Sequence, residues 1–442
     1  MNNKSARIFL TVLLALIIGA VSFTAGFFTH KCSQKGAMAS LQWGLETINK
    51  NYYFGEVEDG YSDTALSAIA AKYLDKYSAY YTAKEYEEVV KSNSGSKSGI
   101  GISYSYVNGK GVYISSVTGN SPAYISGLRA GEWLKSGGFT GGEEKVFGSS
   151  SDFSALVGSA KDGQSISFTS TEGETYVTAK AEYIASYAYM CTNTSAWIFG
   201  NSASGGLALY ERTDEKIDYL PDGFAYISLS QFYGSAGQEF LRLTEKFNAL
   251  DCSSLILDLR SNGGGYVSVM QNIAGAFTDG EKPAMISRDK KGNEQTFTCS
   301  KPTATQRIGK DTNVYVLANS GTASASEALI GAMICYGALD WNDVFLSQYS
   351  DEYIDWLKLT GQEVKTAQSY GKGIMQSTFV NDKTGEALKL TTAKIFWPDG
   401  KTSIHDKGLT VADGCTPVYA QWQHTLPDSE LQAVVGMIQA RI

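Results

Sequence analysis

The stretch Leu255–Phe277, LILDLRSNGGGYVSVMQNIAGAF, indicates the fold of the C-terminal half. Residues 254–259 are mostly apolar, which is typical of a strand covered on both faces. Three glycines then make a tight turn, and the apolar spacing after them predicts a helix over Tyr266–Phe277. A strand that runs through a short turn into a helix is the repeating unit of an α/β domain.

Neighbouring segments repeat this unit. Val314–Ala318 is predicted to be a strand, residues 319–322 a turn and Ala323–Gly337 a helix. Upstream, Phe224–Leu229 reads as a strand and Ala236–Phe247 as a helix. The alternation predicts an α/β domain that begins near Tyr183.

Residues 96–182 have a different pattern, with short strands, glycine-rich turns and two short predicted helices at Ser121–Tyr124 and Ser151–Val157. This arrangement, with the segments SGIGISY and NSPAYISGLRAGEWL, resembles the PDZ domains of secreted proteases. The resemblance predicts that a turn offers backbone N–H groups to the terminal carboxylate of a peptide. The residues of that turn are Gly99, Ile100, Gly101 and Ile102.

The N-terminal part divides into an apolar run and a helical segment. Ile8–Thr29 holds 22 residues without charge, and a helix of that length, about 33 Å, can cross a bilayer. An uncleaved membrane anchor is favoured over a cleaved signal peptide, although Ala37–Ala39 has the A-x-A form. Residues 38–90 read as helical, and the polar stretch Lys91–Ser98 predicts a linker.

Charge and composition exclude several classes of protein. The net charge is −8, and without the basic first 31 residues it is −11, so no nucleic-acid surface is expected. The chain has only three histidines and no C-x-x-C pair, which disfavours metal sites and a Ser-His-Asp triad. We expect no metal and no cofactor.

Three segments hold candidate catalytic groups. Ser324 stands at the start of a predicted helix, where free N–H groups stabilise negative charge, although serine there is usually only a cap. Lys372 lies between two glycines, and burial would lower its pKa and let it take a serine proton, although most lysines are exposed. In an extended segment Gln376 shares its face and would orient the amine. The turn Gly263–Gly265 offers N–H groups for an oxyanion hole.

The order of these blocks is more specific than any one of them. GFAYISLSQF, LILDLRSNGGG, VYVLANSGTASASEAL, SYGKGIMQ and LTTAKIFWPDGKTSIHDKGL resemble, in this order, the C-terminal processing (tail-specific) peptidases. The resemblance covers residues 40–420 and implies an α/β core of the crotonase type beside a PDZ domain. It implies Ser324 as nucleophile, Lys372 as general base and Gln376 as the orienting residue. Backbone N–H groups of Gly264 and Ala325 would form the oxyanion hole.

These observations predict four segments: an anchor (1–31), a helical segment (32–95), a PDZ domain (96–182) and a peptidase domain (183–442). The expected function is that of a membrane-anchored serine endopeptidase that cleaves protein substrates near their C-termini. The family resemblance implies that its catalytic part lies outside the cytoplasm. The sequence leaves open a homo-oligomer or a regulatory partner. Two apparent insertions, Trp341–Lys365 and Cys191–Glu215, support the alternative of a PDZ scaffold that no longer cleaves. The insertion Trp341–Lys365 would be a lid, a partner surface or a distortion.

Overall fold

The computed structural model describes residues 43, 47, 61–278, 280–359, 365–420 and 428–441. Contacts divide the chain into two compact units, residues 1–74 and residues 75–442. In the first unit the structure describes the helix α1 (Tyr61–Tyr73). The predicted anchor, Ile8–Thr29, lies outside the described residues.

The first part of the second unit is rich in short strands. Its elements are β1 (Ala79–Tyr81), α2 (Ala83–Asn93), β2 (Ser96–Gly99), β3 (Ile102–Val107), β4 (Gly111–Val117), α3 (Pro122–Ile125), β5 (Trp133–Phe139), β6 (Lys145–Val146), α4 (Ser150–Ser159), β7 (Ser165–Ser170), β8 (Thr175–Ala179) and β9 (Ala181–Ile184). Strands β3, β4, β5, β7 and β8 form one sheet in that order, with β6 paired to β5. Its core includes Ile100, Phe153 and Phe168, and it is separate from the core of the α/β part.

Two predictions for this region need correction. The segment 32–95 is not helical throughout, because β1 pairs with a strand more than 300 residues away. The polar stretch Lys91–Ser98 is not a linker: Lys91 belongs to α2, and Ser96–Gly99 pairs with β9. Polar composition indicates exposure, but it does not exclude regular structure. The capping box of Thr82 and Glu85 is confirmed at the start of α2.

The remaining elements form the α/β part. They are β10 (Ala188–Cys191), β11 (Ala196–Asn201), β12 (Leu207–Arg212), β13 (Phe224–Leu229), α5 (Ala236–Ala249), β14 (Ser254–Asp258), α6 (Val267–Thr278), β15 (Pro283–Asp289), β16 (Glu294–Thr298), β17 (Asn313–Ala318), α7 (Ala325–Cys335), β18 (Val344–Tyr349), α8 (Asp351–Leu359), β19 (Ile374–Val380), β20 (Ala387–Phe396), β21 (Thr416–Ala420) and α9 (Ser429–Gln439). The predicted strand–helix units are confirmed, with ends that differ by at most two residues.

The main sheet has the order β12-β11-β10-β13-β14-β17-β18-β21, and β13 to β21 run parallel. It is buried on both faces. Leu255 and Leu257 of β14 face the larger core, whereas Ile256 between them packs in a second core with α9. This alternation explains the continuous apolar run of β14, because both faces are covered.

A second sheet has the order β1-β20-β15-β16, with β19 paired to β20. It carries the segment that follows Lys372. Strand β1 joins this sheet through pairs such as Tyr80 with Leu388, so a segment from the start of the second unit lies beside β20, the strand that also pairs with β19.

The two apparent insertions are largely built into the main sheet. Within Trp341–Lys365, Val344–Tyr349 forms β18, a buried strand between β17 and β21, and Trp341 packs on Trp397 at 5.4 Å between ring centroids. Because β18 is buried within the main sheet, this strand is neither a lid nor a partner surface, and the interpretation is wrong for this part of the segment. Residues 191–215 supply β11 and β12, an antiparallel extension of the same sheet.

Candidate active site

Ser324 lies in a strained turn between β17 and α7. Its φ is +59° and its ψ is −113°, a conformation that is costly for a residue with a side chain. The residue is half-buried, and α7 begins directly after it. A serine held at a strained strand-to-helix turn is typical of a nucleophile, since the turn exposes the hydroxyl at the positive end of the helix.

Glu327 connects the serine turn to the lysine segment. Its fully buried carboxylate accepts hydrogen bonds from the backbone N–H of Ser324 (2.9 Å), Gly371 (2.8 Å) and Lys372 (3.0 Å). The Ser369 hydroxyl donates a fourth, at 2.5 Å. Burial raises the pKa of Glu327, and the four donors oppose that shift. One carboxylate therefore fixes the backbone of both candidate catalytic residues.

The glycine turn packs directly on the serine. A side chain on Gly264, whose φ is +95°, would meet Ala325 N and Ser324 Cβ at 2.9 Å. Asn262 holds this turn in place: its buried amide donates to Leu229 O (2.7 Å), and its backbone O accepts from Ser326 Oγ (2.9 Å). The turn and the start of α7 are therefore in contact, as an oxyanion hole requires.

The two predicted oxyanion donors, the N–H groups of Ala325 and Gly264, differ in their hydrogen bonding. The Ala325 N–H has no acceptor in the part of the chain that the structure describes. The Gly264 N–H donates to Asn262 Oδ1 at 3.0 Å, so it would have to exchange this bond for one to an oxyanion. The participation of Gly264 stays a prediction.

Lys372 is half-buried next to the serine turn. Burial lowers the pKa of its amine, and Lys389 lowers it further, while Asp75 and Glu327 oppose the shift. Its Nζ lies 4.6 Å from the centroid of the Tyr77 ring. Within the described residues, no hydrogen bond joins this amine to the Ser324 hydroxyl.

The structure corrects the expected geometry of Gln376. Strand β19 begins at Ile374, after Lys372, and a bulge interrupts its pairing between Met375 and Gln376. The alternation that would place Lys372 and Gln376 on one face therefore does not hold. The Gln376 amide donates to Thr391 Oγ1 at 3.0 Å, and within the described chain no hydrogen bond joins Gln376 to the Lys372 amine. An orienting role for Gln376 stays a prediction.

His405 lies near the same segment. A side chain on Gly373 would meet the His405 backbone N at 2.7 Å, and His405 Nδ1 is buried without a hydrogen-bond partner in the described chain. His405 is thus the alternative base that experiments must separate from Lys372. His424, the other alternative, lies outside the described residues.

The predicted tail-binding turn lies between β2 and β3. Its carbonyls are occupied: Ile100 O accepts from Ala123 N (2.9 Å) and Gly101 O from Thr118 N (2.8 Å). The N–H groups of Ile100 and Gly101 have no acceptor among the described residues. Strand β3 follows the turn as an edge of its sheet.

Sequence reasoning missed Glu327, Ser369 and Tyr77. Glu327 stands three residues after Ser324, a spacing that by itself indicates only a helix cap. Ser369 and Tyr77 carry no local signal, because their partners are distant in sequence.

Comparison with known proteins finds similar peptidases. Residues 223–338 match peptidase family S41. The chain is 24% identical over 422 residues to a "Probable CtpA-like serine protease" of Staphylococcus haemolyticus, covering 92% of this chain and 73% of that protein. The corresponding Staphylococcus epidermidis protein is 24% identical over 445 residues, covering 97% and 78%. A solved S41 protease structure from Bacteroides fragilis shares the fold with a TM-score of 0.52 and 14% identity, covering 89% of this chain and 92% of that one.

Together, the strained serine, the glycine turn and the family match define a serine-type peptidase. Residues 223–338 match family S41, and over nine-tenths of its length the chain is similar to CtpA-like serine proteases. The match includes β13, β14 and the whole of α7, and so it contains Ser324 and the glycine turn. Among the described residues, no helix is long and apolar enough to cross a membrane.

Proposed function

We propose that this protein is a membrane-anchored serine endopeptidase that uses a Ser324–Lys372 dyad and acts near the C-termini of protein substrates. The observation that carries the proposal is the Glu327 carboxylate, which binds the backbone of the serine and the lysine together. An α/β core of the crotonase type and a PDZ domain over residues 96–182 belong to the same proposal.

The proposed reaction proceeds in two steps. Neutral Lys372 takes the Ser324 hydroxyl proton while the serine oxygen bonds to the scissile carbonyl carbon. The Ala325 N–H and a glycine N–H of the turn stabilise the oxyanion, and the lysine gives its proton to the leaving amine as the C–N bond breaks. Water then hydrolyses the acyl-enzyme, again with the lysine as base.

The decisive test removes the hydroxyl oxygen of Ser324. The full chain and its Ser324→Ala variant are incubated with an unfolded protein that has an apolar C-terminus, and the products are identified by mass spectrometry. We expect wild type to cleave and the variant to be inactive with an unchanged circular dichroism spectrum. Equal cleavage by both proteins would contradict the nucleophile assignment. An inactive wild type would favour the PDZ scaffold.

Substrate tails provide an independent test. The N–H groups of Ile100 and Gly101 have no acceptor among the described residues and lie next to the edge strand β3. This arrangement supports capture of a terminal carboxylate and addition of the peptide as an extra strand. Peptides with small or apolar C-terminal residues should bind the full chain, and amidation of the carboxylate should weaken binding about tenfold or more, since a charge-assisted contact is lost. Equal affinity for acid and amide, measured by calorimetry, would exclude tail recognition.

We propose that the chain is anchored in a membrane, with its catalytic part outside the cytoplasm, as the family resemblance implies. This proposal depends on the apolar run Ile8–Thr29. Fractionation of the full chain tests it, since an anchored protein stays with membranes after a high-salt wash.

A further inference from the structure

The Lys372 amine lies over an aromatic ring, and in the described part of the chain it makes no hydrogen bond to Ser324. Its Nζ lies 4.6 Å from the centroid of Tyr77, within the range of a cation–π contact. This contact favours the charged form of the amine, because a neutral amine has little attraction to the ring face. A general base has to be neutral, so the contact opposes the lysine's proposed role.

Tyr77 is fixed in this position by the second sheet. Its backbone N–H donates to Asp75 Oδ1 (2.8 Å), and Ser78 Oγ accepts from the Thr391 N–H of β20 (3.0 Å). Strand β1, which follows, pairs with β20, and β20 pairs with β19, which begins two residues after Lys372. The Tyr77 hydroxyl donates to the Tyr370 hydroxyl at 3.0 Å, two residues before Lys372.

Several charges surround the contact. Lys389 disfavours the charged form of Lys372, whereas Asp75 and Glu327 favour it. Lys76 lies 5.3 Å from the centroids of both the Tyr77 and Tyr370 rings and adds a second cation to the cluster. The Tyr77 hydroxyl itself is neutral at ordinary pH, since burial raises its pKa to about 12. The ring therefore acts on Lys372 as an aromatic face and not as a phenolate.

We propose that Tyr77 is a positioning residue for the catalytic lysine: its ring binds the protonated amine and keeps it from Ser324. The inference rests on the proposed dyad. When the ammonium gives a proton to water, the ring loses its attraction for the amine, and the neutral amine is released to accept the serine proton. Tyr77 thus couples the position of Lys372 to its protonation.

Two substitutions separate the ring face from the hydroxyl. Tyr77→Leu keeps an apolar cover over the lysine and removes the aromatic face, whereas Tyr77→Phe keeps the face and removes the bond to Tyr370. We expect Tyr77→Leu to lower the pKa of Lys372 by about half a unit to one unit. Cleavage near pH 7 should then rise about three- to tenfold, because more of the lysine is neutral. Tyr77→Phe should leave the pKa within about 0.3 units of wild type.

The pKa is measured without using activity. The pH dependence of Lys372 acetylation by acetic anhydride, followed by mass spectrometry in the full chain, gives the value directly. Cleavage of an unfolded protein is followed over the same pH range. Tyr77→Met, which also removes the ring, serves if the leucine variant does not fold.

The outcomes are distinct. A Lys372 pKa that is unchanged without the ring, or that shifts equally in the phenylalanine variant, would overturn the role of the ring. The expected pKa shift with lower cleavage would overturn the idea that the ring holds the amine from the serine. The expected pKa shift in a protein that never cleaves would support the contact and refute the peptidase.

Discussion

At the scale of single residues, the site concentrates conformational strain and buried charge. Ser324 adopts a positive φ, Glu327 is a fully buried carboxylate and Lys372 is a half-buried amine. Each of these features is unfavourable by itself. The strained backbone conformation alone has a free-energy cost of about 1–3 kcal/mol. Such features persist where the surrounding contacts impose them, which is consistent with a catalytic site.

The lowered pKa of Lys372 predicts how cleavage depends on pH. A lysine with its ordinary pKa near 10.5 would be neutral in less than about one molecule in a thousand at pH 7. Because burial lowers that pKa, the neutral fraction and the cleavage rate should rise with pH and level off below pH 10.5. Lys372→Arg should be nearly inactive, since guanidinium stays protonated. Rates measured from pH 5 to 10 test both expectations.

The control for this profile is the double variant His405→Ala/His424→Ala. It should keep the wild-type pH dependence if the lysine is the base. A rise near pH 6.5 that disappears in the double variant, together with an active Lys372→Ala, would replace the lysine with a histidine.

Glu327→Gln tests the buried carboxylate. Four donors converge on its two oxygens, and the amide would present its own N–H groups to some of them. We expect a loss of about 2–3 kcal/mol in the free energy of unfolding and a drop in kcat/KM of about 100-fold or more. Urea unfolding and peptide cleavage measure the two effects.

Glu239→Gln is the matched control. Glu239 is a buried carboxylate that also accepts four hydrogen bonds, from Ser235, Ser186 and the N–H groups of Tyr187 and Ala188, outside the site. The Glu239→Gln variant should lose about as much stability as the Glu327→Gln variant while keeping its cleavage activity. If both variants lose activity equally, Glu327 has only a structural role.

At the scale of elements, the glycine turn between β14 and α6 sets the shape of the oxyanion region. The turn lies against the start of α7, and the contact leaves no room for a side chain at its middle position. Two strand–helix units thus place their turns side by side, because β14 and β17 are parallel neighbours in the sheet.

Adjacent glycines in this turn should respond differently to alanine. In Gly264→Ala the new Cβ would lie 2.8 Å from Ala323 O and 2.9 Å from Ala325 N, at a positive φ. We expect cleavage to fall about 100-fold or more, since the clash would displace the oxyanion donors and the loss of one such donor has an effect of this size. Gly263→Ala meets nothing within 4 Å, so its cleavage rate should stay within about threefold of wild type. Equal rates for the two variants would show that the packing of Gly264 on Ser324 is unimportant.

At the scale of the whole molecule, a buried ion cluster connects the C-terminal helix to the turn. Arg260, two residues before Asn262, binds the carboxylates of Asp258, Asp428 and Glu430. Asp428 also caps α9 by accepting from the Leu431 N–H at 3.0 Å. The helix that covers the second core is therefore anchored beside the oxyanion turn.

Removal of this arginine should destabilise the entire domain. Arg260→Ala leaves three carboxylates without their cation, and we expect a loss of about 3–5 kcal/mol in the free energy of unfolding. Arg288→Ala, which breaks the exposed pair with Glu294, is the control and should cost less than about 1 kcal/mol. Urea denaturation compares the two variants. Equal losses in the free energy of unfolding would show that the buried cluster stabilises the protein no more than the exposed pair does.

The sequence alone determined the features that depend on neighbours in the chain. Continuous apolar runs predicted β13, β14 and β17, and glycines marked the turns, because burial and backbone freedom leave a local pattern. The order of the motifs also identified the family and the serine, which the comparisons and the strained turn support.

Only the tertiary structure decided the surroundings of the lysine. The bulge that separates Gln376 from Lys372 arises from pairing with β20, and Tyr77 reaches the lysine because β1 joins the same sheet from about 300 residues away. Glu327 has the local pattern of a helix cap, yet its carboxylate also binds Ser369, Gly371 and Lys372. Contacts between distant segments leave no periodicity in either segment, so their chemistry is set when the sheets assemble.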